Sequence, residues 1–364
     1  MSEAASAPGG AVDAALLKEA QTALKFGLNS YRHSDAHIWA EIIEHAIDDP
    51  ELLAIAARGK APPYMFMLVA AAYLAADAPD EPLARYMPID AREPGPADGV
   101  FPVFREFVLR RKRDILDIIS TRTVQSTAVE RAGYVLPLLD YVADLAGEPL
   151  NLIEIGCSAG LLTMFDRYLY DYGEHGRVGD EASTVVVPHR LIGDKARSPR
   201  RIPQIAERVG IDLRTIDAKS DDERRWLLAQ VYPESSQSRA RIAAALDVVA
   251  RSDLRTVEGD ATAVLPSLLQ EMQGPLCVLH SACVYYFSRE AQDLLDRHLR
   301  EASRGRVIHR IGVETPTDSA GETSNLTSAR VDFHATHTVY ENGEARGQVV
   351  AICQIYGAWM EWLV

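Results

Sequence analysis

Leu150-Asn-Leu-Ile-Glu-Ile-Gly156-Cys-Ser-Ala-Gly160 is the stretch that decides the fold. An apolar run of strand length ends in glycine and small residues, and the apolar residues from Leu161 to Tyr170 follow at helical spacing. That pattern predicts strand, tight turn, helix. In a doubly wound α/β sheet, the turn after the first strand must let a ligand approach the backbone, and glycine removes the Cβ that would block it. Gly156 and Gly160 meet that need, with the small Cys157 and Ser158 between them.

Outward from this turn, the chain changes texture. Before residue 150 the apolar residues recur at helical spacing, as in Leu16, Leu17, Ala20 and Leu24, then Ile38, Ile42, Ile43 and Ala46. Asp49-Pro50 reads as a helix start, since aspartate caps free amides and proline suits the first helical position. A further helix is expected after Pro62-Pro63, a surface connection over Pro79 to Gly99, and helices over Phe101 to Ser120 and Val124 to Ala146. Gly147 before Pro149 supplies the stop. After residue 150, strands are expected at Thr184 to Pro188, Gly210 to Ile216, Leu276 to Tyr286 and Val307 to Glu314, and helices at Glu223 to Val231, Ser238 to Ala250 and Arg289 to Glu301. This alternation implies a parallel sheet covered on both faces. The end turns strand-rich: Arg330 to Tyr340, the hairpin signal Asn342-Gly343, and Gln348 to Ile355.

Composition removes several classes. The 364 residues exceed one ordinary core, which favours two domains. A formal net charge of −14 opposes a sequence-independent grip on phosphate backbones, so no nucleic-acid partner is expected. No apolar run approaches the roughly 20 residues of a membrane span. Four cysteines, Cys157, Cys277, Cys283 and Cys353, form no C-x-x-C pair, so the expected home is a reducing cytoplasm. Residues 1–12 carry no basic, apolar signal pattern and read as a disordered tail. Read as one helix, His33, His37 and Glu41 would share a face, but without a second ligand cluster no metal site is expected. His334 and His337 are three apart in a predicted strand and point to opposite faces.

Two chemistries fit the glycine turn. Glu154, two residues before Gly156, suits a methyl donor whose sulfonium and amino group are positive, and not the pyrophosphate of a dinucleotide. The same letters spell Gly156-x-Ser158-x-Gly160, the nucleophile elbow of α/β-hydrolases. A hydrolase needs strands and an oxyanion loop upstream, whereas residues 13 to 147 read as helical. A cofactor-binding module without catalysis is the third alternative.

The acidic-x-Gly-x-x-x-Gly pattern from Glu154 to Gly160 resembles the first motif of class I S-adenosylmethionine-dependent methyltransferases, with Ser158 where a middle glycine is often seen. More closely, the chain resembles a bacterial family catalogued as domain of unknown function 2332, presumed methyltransferases with a helical N-terminal half. The likeness lies in Thr123-Val-Gln125 with Arg131, in the turn itself, in Asp166-Arg-Tyr-Leu-Tyr-Asp-Tyr-Gly173, in Trp226-Leu-Leu-Ala-Gln-Val-Tyr-Pro-Glu234 and in Gly357-Ala-Trp359-Met-Glu-Trp362-Leu363. Where that family tends to have Thr-Asn-Glu after Gln125, this chain has Ser126-Thr127-Ala128.

The resemblance implies a Rossmann-like class I methyltransferase sheet over residues 148–364 with a helical N-terminal cap over residues 13–147, the cap closing a small-molecule pocket. It implies S-adenosylmethionine as cofactor and methyl transfer to oxygen or nitrogen of a small metabolite, with acidic ones among the candidates. Glu154, Gly156, Cys157, Ser158 and Gly160 would cradle the cofactor. An acidic residue ending the second strand would take the ribose hydroxyls, with Asp212 favoured over Asp194 and Asp217. Asp260 in Val257-Glu-Gly-Asp260-Ala261 would meet the adenine amino group with Ala261 beside the ring; a plain helix cap is its rival role. His280 and Tyr285 end the fourth strand, where a base near neutrality can take a proton from the acceptor. Holding the acceptor in line with the methyl group also suffices without a base. Gln125, Arg131, Tyr168, Tyr170 and Tyr172 would line the substrate mouth, Arg131 forking a carboxylate or phosphate unless an internal ion pair claims it. Oligomeric state, a homodimer included, stays open.

Overall fold

The computed structural model describes residues 12–59, 63–125, 127–316 and 332–364. Most of the expected N-terminal tail, Pro62, Ser126 and Arg330 therefore lie outside the described residues. The chain divides into two compact units, Met1–Ser126 with Arg225–Ala240, and Thr127–Arg224 with Arg241–Val364. The division differs from the expected boundary near residue 147. Residues 127–147 belong with the sheet, and residues 225–240 belong with the helices.

The first unit is helical, as its spacing predicts: α1 (Ala14–Arg32), α2 (His37–Ala46), α3 (Pro50–Ala56), α4 (Pro63–Ala76), α5 (Val100–Arg110) and α6 (Lys112–Thr121). The Asp49 carboxylate caps α3 by accepting from Glu51 and Leu52, with Pro50 at the first helical position. Every residue of α4 from Phe66 to Ala75 is buried, so this helix, apolar all round, is the core that α1, α3, α5 and α6 wrap. The single helix expected over Phe101 to Ser120 is broken at Arg111. The expected surface connection from Pro79 holds a 3-10 turn, Pro82–Arg85, with Leu83, Ala84 and Met87 buried. His33 closes α1 while His37 opens α2, so the three-ligand helical face of His33, His37 and Glu41 does not form.

The second unit is mixed α/β. Its strands are β1 (Leu150–Ile155), β2 (Leu169–Asp171), β3 (Arg177–Gly179), β4 (Val186–Pro188), β5 (Arg190–Ile192), β6 (Ile205–Asp212), β7 (Arg255–Glu258), β8 (Leu276–Ser281), β9 (Ile308–Glu314), β10 (Asp332–Glu341), β11 (Glu344–Gln354) and β12 (Trp359–Trp362). Its helices include α7 (Ala132–Ala146), α10 (Ala261–Glu271) and α11 (Arg289–Ala302); α8 (Asp221–Leu228) and α9 (Ser236–Ala250) cross between the units. Nine strands make one sheet in the order β5-β12-β11-β10-β9-β8-β1-β6-β7, and β3-β2-β4 form a small second sheet. From β7 to β9 the neighbours are all parallel; β10, β11 and β12 continue antiparallel. Asn342 and Gly343 both take positive φ, 53° and 84°, in the two-residue turn that the hairpin signal predicts.

Ile153, Ile155, Val209, Ile211, Leu276 and Val278 pack with α10 and α11 residues in one cluster. By the two-residue period, Glu154, Gly210, Ser281 and Asp212 point to the other face. There the Tyr134 hydroxyl of α7 meets Ser281 Oγ at 2.8 Å, so α7 covers that face at the end of β8.

One expectation at the decisive turn fails. No α-helix follows Gly160: residues 158–164 form turns, then a 3-10 helix at Phe165–Arg167 and strand β2. Leu161, Leu162, Met164 and Phe165 are all buried. A continuous apolar run does not by itself separate a helix from buried turns.

Candidate functional site

In the parallel region the order β7-β6-β1-β8-β9 places the second and third strands on one side of β1 and the fourth and fifth on the other. The winding reverses between β1 and β8. In open α/β sheets ligands bind beyond the carboxyl ends of the strands at such a switch. The residues there are the turn Gly156–Gly160 after β1, Asp212 ending β6, Gly259 and Asp260 after β7, Ser281 to Tyr285 after β8, and Glu314 ending β9.

The turn is held tightly. Gly156 and Gly160 take φ of 80° and 78°, and Ser158, the residue between, takes 51°, a region that costs a non-glycine residue energy. A Cβ on Gly156 would strike the Cys283 thiol, and one on Gly160 would strike Leu254, so both glycines also serve close packing. The Ser158 amide donates to Asp212 Oδ2 at 2.8 Å, and Arg214 N donates to Oδ1 at 3.1 Å. The Ser158 hydroxyl is buried and has no hydrogen-bond partner. Leu213, directly after Asp212, is 72% exposed. Cys157 is buried with its thiol pushed up by burial, packed where Gly210 leaves no side chain.

Glu154 is 2% exposed and receives the Thr163 hydroxyl. Burial raises its pKa to about 8, with the Thr163 bond opposing and the Asp212 charge adding to the rise. At neutral pH it is a protonated carboxyl, ready to ionise when a cation arrives.

His280 is not a free base. Its Nδ1 lies 2.6 Å from Glu314 Oε1, and its Nε2 accepts from Arg310 Nε at 2.9 Å. With both ring nitrogens engaged, no lone pair remains for an acceptor's proton, and burial, aided by the Arg310 charge, lowers its basicity. Gly312, on the neighbouring strand, leaves room for the ring. The Glu314 carboxylate also accepts from the amides of Cys283 and Val284, so it fixes the turn after β8. Tyr285 is partly exposed, its ring tilted 37° against Tyr286 with centroids 4.0 Å apart, and burial keeps its phenol well above the ordinary value.

Asp260 takes its rival role: it caps α10, accepting from the Thr262 amide at 2.8 Å and hydroxyl at 2.7 Å, and Ala261 is the buried first residue of that helix. The tyrosines do not line a mouth. Tyr168, Tyr170 and Tyr172 are buried, with hydroxyls given to the carbonyls of Leu161, Phe165 and Gly133. Gln125 lies in the first unit, its amide given to Gln230 Oε1 at 2.6 Å.

Arg131 sits on the 3-10 turn Val129–Arg131 that leads into α7. It is 8% exposed, and its Nε donates to Ile355 O at 2.9 Å. No carboxylate among the described residues pairs with it, so the internal ion pair does not form. A cleft of about 520 Å³ lined by Met164, Arg208, Arg251 and Leu254 includes none of the switch-point residues named above. Strand order, which has a physical reason to collect ligands, locates the site better than this open cleft.

Sequence reasoning missed Thr163, Tyr134, Ser281, Arg310 and Glu314. Only strand adjacency brings Glu314 to His280, 34 residues away, and no spacing rule carries that pairing. Among the described residues no group of three or more metal-ligating side chains converges, and no helix is long and apolar enough to cross a membrane.

No curated protein and no solved structure matches the chain. One family model does, over residues 25–362, nearly the whole length. The chain belongs to the bacterial family described as "Uncharacterized protein conserved in bacteria (DUF2332)".

Proposed function

We propose that this protein binds S-adenosylmethionine across the β1/β8 switch, on a Rossmann-like class I methyltransferase sheet, and transfers its methyl group to a small molecule. The observation that carries this reading is the alignment at the end of β1. A buried carboxyl, Glu154, precedes a two-glycine turn whose Ser158 amide is tied to Asp212 on the adjacent strand.

The residues fit that cofactor and fit a dinucleotide poorly. Pyrophosphate sites use the free amides and positive dipole of a helix opening right after the turn, and no helix opens after Gly160 to supply that dipole. Glu154 suits a positive amino group and sulfonium. Asp212 retains acceptor capacity for ribose hydroxyls beside the unpartnered Ser158 hydroxyl. The exposed Leu213 offers an apolar face for a base ring, whose burial is worth roughly 25 cal/mol per Å². The cofactor supplies an electrophilic methyl group on a positive sulfur. The chain's own residues orient and exclude water. Glu314 holds the turn after β8 through Cys283 and Val284, and Arg310 and Glu314 lock His280 as a positioning residue. Acceleration then comes from alignment, which lowers the entropic barrier without a base.

In a thermal unfolding panel, S-adenosylmethionine and S-adenosylhomocysteine at about 100 times Kd should add roughly 2.7 kcal/mol of stability. NAD should add none, and Asp212→Ala should remove the effect. A shift with NAD alone would overturn the reading.

The Ser158 backbone favours a second reading, since a strained serine between glycines is the hydrolase elbow. Its hydroxyl lacks the hydrogen-bonded base that activates such a nucleophile. Stoichiometric labelling of Ser158 by a fluorophosphonate would establish it.

A further inference from the structure

The end of α7 nearest the switch holds a cation that no carboxylate among the described residues pairs with. Arg131 is more than nine-tenths buried, and its Nε is anchored on Ile355 O. Its two Nη groups have no partner among the described residues. Buried guanidinium groups are normally paired, since an isolated buried charge is costly. The chain has nevertheless fixed this one in place. Gly357 packs against the backbone of Glu130 and Arg131, where any Cβ would clash.

The position of Arg131 follows from its helix. Arg131 has helical backbone angles, φ −59° and ψ −25°, so Tyr134 three residues on lies on the same side. Tyr134 reaches Ser281 at the carboxyl end of β8. Glu154 emerges from β1, the neighbour of β8, toward the same sheet face. Burial raises the pKa values of Tyr134, Glu154 and Tyr285, and in all three the charge of Arg131 opposes the rise. Arg131 and Glu154 nonetheless form no ion pair within 4.0 Å. Two buried groups of opposite character thus share one face without touching each other.

We infer that Arg131 and Glu154 are the two poles of a receptor for a zwitterionic α-amino acid group, Arg131 taking the carboxylate and Glu154 the ammonium. The fork of the guanidinium donates to both carboxylate oxygens. An α-amino acid carries its two charged groups on one carbon, so a single ligand group can engage two poles that do not pair with each other. The inference rests on the cofactor reading, because the methionine end of S-adenosylmethionine is such a group. It assigns Arg131 to donor binding, where the sequence reading assigned it to the acceptor.

Calorimetry on the full chain with three ligands separates the claims: S-adenosylhomocysteine, its decarboxylated analogue, and 5′-methylthioadenosine, which lacks both charges. Loss of the carboxylate should weaken binding about 10- to 100-fold in the unaltered protein. In Arg131→Gln that gap should collapse while 5′-methylthioadenosine binds as before, and Arg131→Lys should restore part of the gap. The comparison of ligands on the unaltered protein stands even if a variant folds poorly. Equal affinity for S-adenosylhomocysteine and its decarboxylated analogue, or a gap that survives in Arg131→Gln, would overturn the inference. Binding of 5′-methylthioadenosine in that case would leave the cofactor reading intact, and failure of all three ligands would end both.

Discussion

Glu154 shows how burial sets the chemistry of a single side chain. Removed from water, its carboxyl holds a proton up to about pH 8, against 4.5 for an ordinary glutamate. A ligand bearing an ammonium group favours the ionised form, so binding must release a proton below that pH. Affinity for S-adenosylhomocysteine should rise about tenfold per pH unit between roughly pH 6 and 8, then level. Calorimetry in buffers of different ionisation enthalpy reads the released proton, and Glu154→Gln should flatten the profile. A pH-independent affinity in the unaltered chain would contradict this role. The tight turn at Gly156, Ser158 and Gly160 was legible in sequence because a strand that ends in glycine and small residues predicts a backbone of positive φ. The tyrosines were not legible. A phenol reads equally as a polar rim or as a core ring with its hydroxyl on a carbonyl, and burial, which periodicity does not report at an apolar run, selects between them.

Among the elements, those with strong end signals were readable. Asp49-Pro50, Gly147 and Asn342-Gly343 each leave the backbone one favourable course, and α3, α7 and the β10–β11 hairpin start or stop there. Strands β2, β3 and β5 have only three residues each and no period to detect, while β4 lies inside the strand expected at Thr184 to Pro188. The segment 225–240 joins the first unit through a contact that sequence does not advertise. Arg239, fully buried, donates to the carbonyls of Asp90, Arg92, Tyr232 and Pro233. Removing the guanidinium takes a donor from four carbonyls, of which, among the described residues, Tyr232 alone keeps another, the Ser235 amide. Arg239→Met should cost about 3–5 kcal/mol in urea unfolding, and Arg239→Lys nearly as much, because one ammonium does not span both segments. A loss below about 1 kcal/mol would show that water replaces those bonds.

Over the whole molecule, buried histidines set the response to acid. His189 and His337 are lowered by burial to about 4, and His280 and His309 are lowered as well. His309 and His337 meet at 3.0 Å, an arrangement that needs at least one neutral ring. An unfolded histidine takes its proton near pH 6.5 while these do not, so their contribution is complete above 6.5 and is lost as pH falls toward 4. Each shift to about 4 is worth at most roughly 3 kcal/mol. Glu154 works the other way, since its raised pKa adds stability at low pH that disappears as pH climbs to about 8. Asp140 and Glu234, also raised by burial, act with Glu154, so four histidines oppose three carboxyls; the histidine shifts to about 4 span the whole window and predict net loss from pH 6.5 to 4. Denaturant midpoints across that range, with His189→Asn giving a shallower slope, check the prediction; a flat profile would contradict it.

The central claim is that the switch between β1 and β8 receives S-adenosylmethionine. Isothermal calorimetry of the intact chain with S-adenosylhomocysteine, beside Asp212→Ala, tests it most directly. The account predicts one site per chain and a loss of at least about tenfold, or 1.4 kcal/mol, in the variant. Absence of heat with a folded, unaltered protein, or binding that ignores the loss of Asp212, would contradict it.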